Sequence, residues 1–239
     1  MTLLETFFKN NSIPYVAGNE DKLADAFAQE VAQYNLLDEN VYDQIFAEIS
    51  SWEPGSKLQE YFLFELQNVQ EQQQLGECER LSRQYLAHLE ENILKESYNV
   101  CRTDHNYYFN PASHATGVDQ QQQRGISGFI MDYERESSQI PKSDNLSKLI
   151  NKHKIMTSAL ALVDRHQEDP QPAKQQIENF KGLIANRYTV LAERRDNGFM
   201  SFMKKLVNMF SLGFLGKTKG EELAQEIQSV QESTRLNKH

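Results

Sequence analysis

The chain has 239 residues and a net charge of −9, with a mass of 27.7 kDa and a mean hydropathy of −0.66. That length can hold one large or two small domains with a real core, while low hydropathy with only 11 glycines and 6 prolines argues against a turn-rich β protein and for helices with much surface. The negative balance argues against general nucleic-acid affinity, which needs clustered cations that release counterions.

Charge is uneven along the chain. Residues 1 to 60 carry eleven acidic side chains against Lys9, Lys22 and Lys57, whereas residues 181 to 220 carry eight basic ones against Glu193 and Asp196. Either the two ends attract each other or the basic end faces anionic lipid. Cys78 and Cys101 are the only cysteines, too few for a disulfide scaffold and consistent with a reducing cytosol. The opening MTLLETFFKNN has an acid where a signal peptide has a base, and its apolar core is short, so export by the Sec route is not expected.

Leu3, Leu4, Phe7 and Phe8 form a short apolar turn before a loop with Pro14 and Gly18. Asn19 is placed to cap a helix with Glu20 and Asp21 in its first turn and Leu23, Phe27, Val31 and Tyr34 on its core side. Asp38 caps the next, which turns Val41, Ile45, Phe46 and Ile49 inward, and the two make a helical hairpin. Trp52, beside Pro54-Gly55, reads as a lid on the core in preference to a partner-binding anchor. From Ser56 to Tyr98 there is no proline, and Leu58, Phe62, Leu66, Val69, Cys78, Leu81, Tyr85, Leu89 and Ile93 keep three- and four-residue steps. One long helix is expected there, in preference to two broken at Gly76, with the run QEQQQ at 70 to 74 as a polar surface.

Residues 99 to 142 lose this spacing, except that Ile126, Phe129, Ile130 and Tyr133 suggest one short helix. Three regions follow: 1–98 helical, 99–142 irregular, and 143–239 helical. Ser143 or Asp144 caps a helix through Leu146, Leu149, Ile150, His153, Met156, Leu160 and Val163. A second, antiparallel to it, opens at Pro172 and carries Ala173, Ile177, Phe180, Leu183, Ile184, Tyr188 and Leu191 on one face. Arg194 and Arg195 suit its last turn, and Asn197-Gly198 reads as a left-handed stop. Beyond it, Phe199, Phe202, Leu206, Met209 and Phe210 oppose Lys204, Lys205 and Asn208. Two central lysines at about 2.5 to 3.5 kcal/mol each make a membrane span untenable. The run either packs into the core or lies on a membrane or partner, with Phe199, Phe202, Lys204, Lys205, Leu206 and Phe210 as the contacting face. Gly213, Gly216 and Gly220 precede a last helix in which Glu221, Glu222, Glu226 and Glu232 alternate with Leu223, Ile227 and Val230. The expected fold is all-α: an elongated helical bundle with a long central helix and a C-terminal antiparallel helix pair plus an amphipathic end.

The order ERRDNG, FMSFMKKLVNMFSLG, a short linker and KGEELAQEI resembles the C-terminal region shared by many type IV (Dot/Icm) secreted effectors of Legionella, over residues 146 to 239. The resemblance implies a translocation signal at Glu221, Glu222, Glu226 and Glu232, recognition by the type IV secretion machinery, and delivery into the host cell cytoplasm. It implies no particular activity, because that family's chemistries lie in unrelated N-terminal parts. Read without it, the same glutamates are a solvated helix face.

Only one cluster suggests chemistry: Cys101, Asp104, His105 and His114. If residues 101 to 105 finish a helix, Cys101 and His105 share a face and could present sulfur and imidazole to zinc, with His114 and Cys78 as further ligands. A Cys101 nucleophile with His105 or His114 as base and Asp104 as orienter is the alternative chemistry. Ordinary loop residues are the preferred reading of the cluster, since the spacing matches no zinc pattern. His153 reads as a core histidine, while His88, His166 and His239 read as surface, and the pair Glu90-Glu91 as solvated. No phosphate-cradling glycine loop, HExxH or GxSxG occurs. The expectation is a non-enzymatic effector module that binds a host protein and needs no cofactor or metal. A cysteine- or metal-dependent enzyme at Cys101, His105 and His114, or membrane association through residues 199 to 215, are the competing readings.

Overall fold

A computed structural model of the chain describes residues 3–10, 18–52, 54–101, 125–137, 139–164, 171–193 and 197–211, and among these every regular element is a helix. In chain order they are α1 (Leu3–Asn10), α2 (Glu20–Val31), α3 (Glu39–Ser51), α4 (Lys57–Val100), α5 (Gly125–Glu134), α6 (Asp144–Val163), α7 (Ala173–Asn186), α8 (Tyr188–Ala192) and α9 (Asn197–Ser211). The all-α class and the long central helix are as expected, and Gly76 lies inside α4 without breaking it. The described residues of Met1–Glu79, Val163–Lys181 and Lys204–His239 form one compact unit, and those of Arg80–Leu162 and Gly182–Met203 form a second. Each therefore draws on separate stretches of sequence, and α4 gives its first half to one and its second half to the other.

The first unit is built on stacked rings. Phe27 and Phe62 stack at 4.3 Å between centroids, Phe7 meets both edge-on, and Trp52 covers Phe62 at 5.8 Å. Such pairs add about 0.5 to 1.5 kcal/mol beyond the area they bury, and Trp52 is the lid that its place in the sequence suggests. Leu4, Leu23, Val31, Leu36, Ile45, Ile49, Leu58 and Leu66 close the cluster.

Its helix ends are tied by short polar contacts. The Asp38 carboxylate accepts the Asn40 N–H at 3.0 Å, as an N-cap should. Asn19 holds the cap position of α2, but its side chain makes no capping bond. Glu20 ties down the chain leading into the helix: its carboxylate accepts the Gly18 N–H at 2.7 Å. Its own backbone N–H, and then that of Gly18, hold the carboxyl below the ordinary glutamate range.

The glutamines of α4 are not the surface run that their polarity suggests. Gln70 and Gln74 are buried, because here α4 passes under the α2–α3 connection. Gln73 donates to the Tyr34 carbonyl at 2.8 Å and accepts the Leu36 N–H at 2.9 Å, while Gln70 donates to the Leu36 carbonyl at 3.2 Å. One turn after α4 begins, Gln59 donates to the Ile49 and Ser50 carbonyls at the end of α3, both at 3.0 Å, and accepts the Gly55 N–H at 2.8 Å. An amide carries both donor and acceptor, so it can satisfy orphaned groups of both kinds at a helix end without burying a charge.

The second unit packs Ile93, Cys101, Phe129, Ile130, Tyr133, Ile140, Leu146 and Ile150 together. The short helix expected at Ile126–Tyr133 is α5. The Ser143 hydroxyl takes the Leu146 N–H at 3.4 Å at the start of α6, and the Tyr133 hydroxyl oxygen accepts the Ser143 N–H at 2.9 Å. Two expectations fail in this part of the chain. The helix after Pro172 does not run unbroken to Arg195: Arg187 leaves helical geometry (φ −109°, ψ 7°) and divides α7 from α8. Asn197-Gly198 also does not stop a helix; it opens α9. Gly198 is needed for closeness, not for a left-handed turn, since a Cβ there would overlap the His88 ring. Arg194 and Arg195 lie outside the described residues.

Candidate interaction surface

Cys101 follows the last turn of α4, where its N–H donates to the Ser97 carbonyl at 2.8 Å. It is 4% exposed and belongs to the apolar cluster of the second unit. Asp104, His105 and His114 lie outside the described residues. Cys78 does not meet Cys101, because an intact helix separates them by about 35 Å at 1.5 Å per residue. The weaker alternative, a zinc ion shared by these two sulfurs, is therefore not formed. Burial, opposed in part by the Lys181 ammonium, pushes the Cys78 thiol up to about 12, far from the thiolate that metal binding or attack requires. Among the described residues no group of three or more His, Cys, Asp and Glu side chains is placed to hold a metal.

His153 is half-buried on α6, with Nε2 at 3.3 Å from Glu90 Oε1 on α4, a satisfied histidine as its apolar surroundings suggest. Glu91 accepts from the Lys95 ammonium at 2.7 Å, and this bond first of all lowers its carboxyl. His88 is not the surface residue its position suggests. It is half-buried, stacks on Tyr85 at 6.3 Å, sits 3.0 Å from Asn92 Nδ2, and packs on Gly198. His166 and His239 lie outside the described residues.

On α9, Phe199, Phe202, Met203, Leu206, Met209 and Phe210 are all buried, while Lys204, Lys205 and Asn208 are exposed. In the second unit Tyr85 stacks on Phe202 at 5.3 Å and lies 5.8 Å from Phe199, which also meets Tyr188 at 5.7 Å. In the first, the Lys181 ammonium sits 4.2 Å from the Phe210 ring centre. Among the described residues of this run, Phe199, Phe202, Leu206 and Phe210 are packed inward, while Met200 is 42% exposed. Among the described residues no helix is long and apolar enough to cross a membrane. Glu221, Glu222, Glu226 and Glu232 lie outside the described residues.

What periodicity did not reveal is the outer face of α4. Phe64 is 59% exposed, Leu94 36% and Tyr98 62%, and Met131 on α5 is 57% exposed. The signal was present as apolar residues off the buried stripe: Phe62 and Leu66 face inward and leave Phe64 out, while Ile93 and Ser97 do the same to Leu94 and Tyr98. Leu94 and Tyr98 are one turn apart and are neighbours on the surface of the second unit. Exposed Glu91, Lys95 and Asn99 flank them. A polar rim around apolar side chains is how protein-binding patches are composed.

No protein-family model matches this chain, no curated protein matches it in sequence, and no solved structure matches it.

Proposed function

We propose that this protein is a bacterial effector, delivered into a host cell by a type IV secretion system, that acts as a helical module binding a host protein. The observation that carries the binding half is the exposed Leu94–Tyr98 row on α4, one turn apart and rimmed by charge. Tyrosine in such a setting supplies large contact area at low entropic cost. The delivery half rests on the resemblance of residues 146 to 239 to Dot/Icm effectors. Catalysis by Cys101 with His105 or His114 is less favoured, because its sulfur sits among apolar side chains. Membrane association through residues 199 to 215 would need α9 to turn out six side chains that are buried now.

A photo-crosslinking amino acid at position 98, with another at the exposed polar position Gln72 for comparison, tests binding in host cytosol. A discrete adduct at 98, lost with Leu94→Asp and absent at 72, is the expected result; equal labelling at both positions would refute the surface. Delivery is tested with an N-terminal reporter in a strain with a working type IV system. Joint replacement of Glu221, Glu222, Glu226 and Glu232 by glutamine should abolish the host-cell signal, and full delivery by that variant would remove the secretion reading.

A further inference from the structure

We draw no further inference here: the strongest candidate, the surface patch on the first half of α4 where Phe64 stands 59% exposed one turn beyond the Lys57–Tyr61 pair, carries nothing because nothing in the structure shows what covers it.

Discussion

Replacing Gln59 with methionine keeps the volume of a side chain that is 7% exposed and removes only its hydrogen bonds. Three backbone groups then lose a bond: the carbonyls of Ile49 and Ser50 and the N–H of Gly55. The Ile49 carbonyl keeps the Trp52 N–H at 3.1 Å, and water can reach the other two, so each loses only a net bond, about 0.5 to 1 kcal/mol. The sum is about 1.5 to 3 kcal/mol, a sizeable share of the roughly 5 to 15 kcal/mol by which domains are stable. Trp52, the single tryptophan, sits between Gln59 and the end of α3 in sequence and reports on the same cluster. Urea denaturation followed by its fluorescence should show the midpoint fall by about 0.5 M or more at unchanged slope. Gln72→Met, at an exposed position of the same helix, should stay within about 0.5 kcal/mol. A Gln59→Met chain as stable as that control would refute the view that this amide holds the α3–α4 turn.

Three further predictions follow from the same contacts. With its thiol pushed up to about 12, Cys78 at pH 8 holds about a thousandfold less thiolate than a free cysteine; an aromatic disulfide reagent should label it only after denaturation, and native labelling at the rate of free cysteine would contradict this. Because the Glu20 carboxyl is lowered in the folded state, its stabilising effect is present above the ordinary glutamate pKa and is lost as pH falls through the lower folded value. Glu20→Gln should therefore lower the urea midpoint at pH 7, with the gap to wild type shrinking as the pH falls below the ordinary glutamate range, and a gap that stays constant with pH would refute the cause. Gly198→Ala should destabilise by about 1 to 3 kcal/mol despite alanine's better helix propensity, since its methyl meets the His88 ring; His88→Ala should restore most of the loss, and an unchanged thermal midpoint in the single variant would refute the clash.

Where side chains repeat at three and four residues the chain is legible, because a buried stripe leaves only one way to face. Leu58 to Ile93 therefore gave α4 and Phe129 to Tyr133 gave α5 directly. Readings that relied on one residue's usual habit fared differently. Gly198 suggested a left-handed stop, but glycine also serves close approach, and only the ring of His88, more than a hundred positions earlier, decides between them. Glutamines 70 and 73 looked like solvent face because polarity does not tell water from a carbonyl across a helix crossing. Phe64, Leu94 and Tyr98 were read past for the opposite reason: apolar residues off the stripe add nothing to periodicity, yet they mark the outer surface.

The α2–α3 connection is held to α4 by amides that carry no charge. Protons cannot neutralise such a fastening, and dissolved ions have nothing in it to screen. Acid or brine that weakens carboxylate contacts elsewhere in the molecule would therefore leave this joint closed.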